Sequence, residues 1–124
     1  MGGTDDGKFS FEDLEVWKED VDFANQCLML VEGIDTGRKH FRLVEQLESA
    51  ATSPALNIAE GKGRFSKKEF IQFLYIARGS LFETVTLFEI FRRRDWISGA
   101  EFVAVKRSAI QLGKRISSLI NSLR

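Results

Sequence analysis

The sequence predicts an all-α fold, an antiparallel up-down-up-down four-helix bundle. Three observations predict it. One proline and ten glycines in 124 residues are too few for the turns of a many-stranded β fold. Apolar residues recur at steps of three and four along four long segments, the period of helices packed in a bundle. The segments are separated by short connections of about four to six residues, which force consecutive helices to be antiparallel neighbours.

Helix starts carry the clearest signals. Ser66 is followed by Glu69 and Ser98 by Glu101, the capping-box spacing in which the hydroxyl accepts a first-turn N–H and the carboxylate reaches back. Ser10 with Asp13 approximates the same pattern. An apolar pair brackets each start as a hydrophobic staple: Phe9 with Leu14, Phe65 with Phe70, Ile97 with Phe102.

The first helix is expected from about Phe11 to Ile34, ending near Gly37. It has two apolar stripes, one through Leu14, Trp17, Val21, Ala24, Leu28 and Val31, the other through Val16, Phe23, Cys27, Leu30 and Ile34. One stripe suffices for a lone bundle, so the second implies a further buried contact. The second helix runs from near His40 to about Glu60, with Val44, Leu47, Ala51, Pro54 and Ile58 on one face. Pro54 lacks a backbone donor, so a kink is expected there, and Gly61 and Gly63 are expected to stop the helix.

The third helix, about Lys67 to Arg93, has a seam through Phe70, Phe73, Ala77, Ser80, Thr84, Leu87 and Phe91, and is apolar over most of its circumference. Such a helix is expected to be buried nearly all round. The fourth, about Gly99 to Leu123, has its stripe at Phe102, Val105, Ala109, Leu112, Ile116, Leu119 and Leu123. Leu47, Phe73, Phe88, Leu112 and Ile116 are the expected core. Residues 1–8 read as a disordered lead-in without the apolar run of a secretory signal, and 9–124 as one domain.

Charge is balanced overall but not along the chain. Residues 1–60 hold 13 acidic and 5 basic residues, and residues 61–124 hold 5 and 13. The halves therefore carry −8 and +8. Such a split fits either a nucleic-acid face or two halves lying against each other, and overall neutrality favours the second. No segment reaches the ~20 apolar residues of a membrane span. The single cysteine, Cys27, has no internal disulfide partner and suits a reducing cytoplasm, as a small buried hydrophobe.

Few constellations suggest chemistry. One histidine, His40, leaves a di-metal bundle site without its ligands, and its expected role is solvated or capping. Gly61-Lys62-Gly63-Arg64 follows a helix, whereas a phosphate loop precedes one. No catalytic, cofactor or metal site is expected. Asn57, Glu60, Ser80 and Glu83 are polar residues set into apolar faces. The expected role is structural, with Asn57 and Glu60 tying the helix end to the next loop and Glu83 meeting them or the loop's backbone N–H groups. Gly79-Ser80 is expected to allow close helix approach. Two basic clusters, Lys62/Arg64/Lys67/Lys68 and Arg92-Arg93-Arg94, are candidate nucleic-acid or partner contacts; the second also complements its helix dipole.

The string Asn57-Ile58-Ala59-Glu60-Gly61, with Gln46, Ser66-x-x-Glu69-Phe70 and Ala77-Arg78-Gly79-Ser80-Leu81-x-Glu83-Thr84, resembles a family of bacterial four-helix-bundle proteins encoded in 23S rRNA intervening sequences. The accessory protein of diversity-generating retroelements is similar. The resemblance spans Phe11 to about Leu123. It implies an up-down-up-down bundle, a ring-shaped homopentamer and no enzyme activity. Retroelement members are strongly basic and bind nucleic acid; this chain departs from them in its neutral charge.

The expected function is thus a non-enzymatic homo-oligomeric scaffold engaging RNA or an RNA-associated protein. The alternative is a protein-only adaptor. An acidic first helix (Glu12, Asp13, Glu15, Glu19, Asp20, Asp22) and a basic fourth (Lys106, Arg107, Lys114, Arg115) give a protomer two unlike sides. Contacts between unlike sides close into rings.

Overall fold

A computed structural model describes residues 7–124. Most of the expected lead-in, residues 1–6, lies outside the described residues. A short 3-10 turn, Ser10–Asp13, precedes four helices: α1 Glu15–Glu32, α2 Phe41–Lys62, α3 Lys67–Arg93 and α4 Gly99–Leu123. Each helix packs on the next, and α4 closes against α1. The α2–α3 seam is the most extensive.

Of the three helix starts, one forms the full expected box and a second forms half of it. Ser66 accepts the Glu69 N–H at 3.1 Å, and Ser98 with Glu101 forms the full reciprocal box. The first start differs. Ser10 caps nothing; the Phe9 N–H donates to the Glu12 carboxylate at 2.7 Å, and the chain extends at Leu14 before α1 begins. The break lets Phe11 pack edge-on against Trp17 while stacking on Phe9, so aromatic packing overrides local capping. Only Ile97 and Phe102 bury both members of an expected staple. Phe9 and Phe65 are exposed.

The α1–α2 connection, residues 33–40, is longer than expected because α1 ends at Glu32. Asp35 accepts the Gly37 N–H at 2.8 Å, which turns the chain early. The other connections, 63–66 and 94–98, have the expected length. α2 continues through Pro54, whose ring is buried. Gly61 does not stop α2; it lies within it, and Gly63 is the C-cap.

The core has two clusters. One gathers Phe23, Cys27, Leu47, Phe88, Phe91 and Leu112 among others. The second gathers Val16, Ile58, Phe70, Leu74 and Ile116. Four of the five expected core residues are there. Phe73 is the exception: it is half-buried, and fully buried Leu74 takes its place. The buried residues of α3 are Phe70, Leu74, Ala77, Leu81, Thr84, Leu87, Phe88 and Phe91: five of the seven expected seam positions are buried, and Leu74 and Leu81 take the places of half-buried Phe73 and Ser80. Both stripes have bundle spacing, so periodicity alone did not choose between them.

α1 shows the same ambiguity. The line through Val16, Phe23 and Cys27 is buried; on the other, Ala24 and Val31 are buried as well, while Val21 is 39% exposed. Asp20 belongs to the buried line. It is not part of an acidic surface, as its sequence neighbours suggested. α3 is not buried all round within the protomer either: Tyr75, Ile76, Phe82 and Ile90 are exposed.

Candidate interaction surfaces

The polar residues in apolar faces do not converge into one site. Asn57 donates within α2, to the Ser53 carbonyl at 2.9 Å and its hydroxyl at 2.8 Å. Ser80 donates to the same Ser53 hydroxyl at 2.8 Å, a polar stitch between α3 and α2. Glu60 pairs with Arg64 at 3.0 Å and is exposed. Glu83 meets neither Asn57 nor Glu60; it accepts from Gln46 of α2 at 3.3 Å. Helical rise explains the separation, because Glu60 lies at the end of α2 next to the loop, whereas Glu83 lies more than four turns into α3, about 24 Å along its axis at ~1.5 Å per residue. Among the described residues no group of three or more His, Cys, Asp or Glu could hold a metal ion. Cys27 is fully buried, and burial pushes its thiol up to about 12.

The glycines also differ from expectation. A Cβ at Gly79 would meet nothing within 4 Å, so Gly79 does not mediate helix approach. Gly61 does. A Cβ there would lie 2.7 Å from Phe73 Cβ and 2.9 Å from Phe70 Cδ1, so α3 closes on α2 at this point because α2 has no side chain to hold it off.

Three surfaces stand out. The first is an apolar groove of about 830 Å³ between α3 and α4. Phe82 and Ile110 line it at 60% and 50% exposure. Arg78, Lys106 and Lys114 rim it, and no acidic residue lines it. On its far side α4 reaches α1, where Arg115 donates to Glu19 at 2.5 Å. Part of the charge split is therefore spent inside the protomer, between α1 and α4.

The two basic clusters form the other surfaces, at opposite ends of the bundle. α3 has 27 residues and so spans about 40 Å at ~1.5 Å per residue. At its start Arg64 pairs with Glu60 and lies over the Phe73 ring at 4.9 Å. Lys62, Lys67 and Lys68 are exposed beside it. At its end Arg92 and Arg93 share Glu89, at 2.6 and 3.4 Å. Their pull holds the Glu89 carboxyl below its ordinary value, outweighing desolvation. Arg94 is exposed and lies over Trp96 at 5.5 Å. The opposite face of this end comes from the α1–α2 connection, whose His40 ring sits 5.2 Å from Trp96. His40 occupies the N-cap position of α2 in a left-handed conformation without capping through its side chain. Arg38, Lys39 and Arg42 flank it, a basic run that the sequence displayed at 38–42 and that no helix pattern marked.

The family model described as 23S rRNA-intervening sequence protein matches residues 12–118. The chain belongs to that family. A solved structure is similar over most of both chains: a protein with unknown function from the S23 ribosomal protein family of Bacteroides thetaiotaomicron VPI-5482. It is 25% identical, with 85% of this chain and 97% of that chain covered and a TM-score of 0.78. No curated protein matches.

The string that carried the resemblance to the 23S rRNA-intervening sequence family now has a physical reading. Gly61 admits the α3 phenylalanines, Gln46 and Glu83 bridge α2 to α3, and Ser80 reaches Ser53. It is a seam between α2 and α3. Gly61→Ala is therefore expected to destabilise the bundle by about 1–3 kcal/mol through overpacking. Gly79→Ala, in open space, is expected to gain roughly 0.5–1 kcal/mol from helix propensity. Urea midpoints of the two variants check this, and equal effects would contradict the seam.

Proposed function

We propose that this protein is a non-enzymatic scaffold that assembles with copies of itself into a ring and engages RNA or an RNA-associated protein. The groove between α3 and α4 is the observation that carries the assembly. It exposes Phe82 and Ile110 under a basic rim, and a contiguous exposed apolar patch on a protein this small marks an interface. Its occupant in this reading is α1 of a second copy. That helix presents Val21 and Met29 at 39% and 64% exposure, with the acidic Asp13, Glu15, Asp22 and Glu32 also exposed. Apolar contact supplies the affinity and charge fixes the orientation.

A contact between unlike faces is heterologous, and repetition closes it into a ring when the rotation from copy to copy divides a full turn. Five copies follow from the family resemblance alone. Among the described residues no helix is long and apolar enough to cross a membrane; the cytoplasm is the setting that this reading proposes. Net neutrality supports the second reading, a protein-only adaptor; it predicts no retention of RNA at low salt.

Light scattering on the purified protein tests the assembly. The expected mass is a multiple of the 14.1 kDa protomer, falling to a monomer in the double variant Phe82→Asp, Ile110→Asp. A wild-type monomer at micromolar concentration would overturn the scaffold, and a symmetric dimer would overturn the ring.

A further inference from the structure

The end of the bundle that joins residues 35–42 to residues 89–95 concentrates charge and aromatic surface that the sequence keeps apart. These two segments contain six cations: Arg38, Lys39, Arg42, Arg92, Arg93 and Arg94. They contain three carboxylates. Asp35 is engaged by the Gly37 N–H and Glu89 by Arg92 and Arg93; Asp95 is the third. Among the described residues Arg38, Lys39, Arg42 and Arg94 make no ion pair with a carboxylate, and all four are exposed.

Aromatic rings interleave with these cations. Phe41, between His40 and Arg42, is 62% exposed. Trp96 receives His40 on one approach and Arg94 on another, at 5.2 and 5.5 Å. Those contacts fasten the two connections together. The backbone is specialised here as well: Arg38, His40 and Asp95 have φ of 63°, 62° and 59°, a left-handed region that costs an L-residue roughly 1–2 kcal/mol. They are the positive-φ residues other than glycine among those described.

We propose that this end, through Arg38, Lys39, Arg42 and Arg94 with Phe41, binds a single-stranded segment of RNA. The inference rests on the scaffold-and-RNA reading above and assigns it a place. Unpaired cations suit phosphates, and a planar exposed ring suits an unstacked base, which a duplex does not offer. An acidic protein partner would use the cations but has no need of the aromatic face. In a ring with cyclic symmetry all copies of this end lie at the same height and radius, so a long strand that follows the ring touches several protomers and binds by avidity.

The test is fluorescence anisotropy with a labelled single-stranded RNA of mixed sequence, about 20 nucleotides long. Binding is expected to weaken steeply with salt, because phosphate contacts release counterions. The triple variant Arg38→Glu, Arg42→Glu, Arg94→Glu is expected to bind at least about tenfold more weakly. The log–log salt slope should fall by about 2, roughly 0.7 for each phosphate contact removed from a single strand. Phe41→Ala is expected to lose about tenfold through stacking. At the opposite end, Lys67→Glu with Lys68→Glu should retain more than half of the wild-type affinity.

Several results would overturn the assignment: no binding at low salt by the wild type, equal affinity for duplex RNA or polyglutamate, or loss of binding in the Lys67/Lys68 variant alone. Light scattering on each variant separates this failure from that of the scaffold. A ring that ignores RNA removes this site and leaves assembly standing, whereas a monomer that binds RNA removes the assembly and leaves the site.

Discussion

Asp20→Asn is expected to stabilise the protein at pH 8 and to leave its stability near pH 4 almost unchanged. Asp20 is fully buried, between Val16 of one core cluster and Phe23 of the other. Neither carboxylate oxygen has a hydrogen-bond partner. Burial, with a smaller contribution from Glu19, raises its pKa from 3.8 to about 7. The buried faces of α2, α3 and α4 hold no ionisable side chain to offset this.

The sign follows from proton uptake. Between about pH 4 and 7 the folded protein keeps a proton that the unfolded chain has released, so stability falls as pH rises. One pKa unit is worth about 1.4 kcal/mol, so the wild type should lose roughly 2–3 kcal/mol between pH 5 and pH 8. Asparagine has the same shape and no charge to desolvate. It should remove most of that slope, while its own unpaired amide limits the gain. Glu89 has the opposite sign: its lowered pKa matters as pH falls below the ordinary carboxylate range, outside this window. Urea unfolding at pH 5 and pH 8 checks the expectation. A wild-type stability that is flat or rises over that interval would refute it.

Phe88→Ala is expected to cost about 3–5 kcal/mol, the range for truncating a large core aromatic. Phe88 is 0% exposed and packs edge-on to Phe91 at 5.9 Å. Phe91 in turn lies 5.1 Å from Trp96, so a cavity at Phe88 would also loosen the support under the basic end. The same truncation at half-buried Phe73 should cost less, despite identical chemistry. Denaturation midpoints of both variants, measured at one pH, decide the order. Equal losses would mean that the choice of α3 stripe is wrong.

Much of this fold was legible in the chain. The capping pairs at Ser66 and Ser98 place the starts of α3 and α4 because local hydrogen bonding alone decides a helix end. Apolar spacing gave four helices and, through the short connections, their antiparallel order. Periodicity could not choose between neighbouring stripes. α1 and α3 each have two with bundle spacing, and the choice depends on which residues the partner helices present. That is why Leu74 is buried where Phe73 was expected, and why Asp20 lies inside.

The seam residues were legible as a string but not as an arrangement. Asn57, Glu60 and Glu83 looked like one cluster because they are polar in apolar surroundings. Helical rise then places Glu83 beside Gln46 and Glu60 beside Arg64. Gly61 and Gly79 looked alike in sequence; only the approach of Phe70 and Phe73 tells them apart.

The sequence by itself determined the helices, their order, the absence of a membrane-spanning length and the excess of apolar surface on α3. These follow from local hydrogen bonding and from hydrophobic periodicity, which need no knowledge of a partner. Tertiary structure decided the stripe each helix buries, the groove at Phe82 and Ile110, and the meeting of Arg38–Arg42 with Arg94 across Trp96. Those depend on contacts between residues far apart in the chain, whose geometry is set only when all four helices pack together.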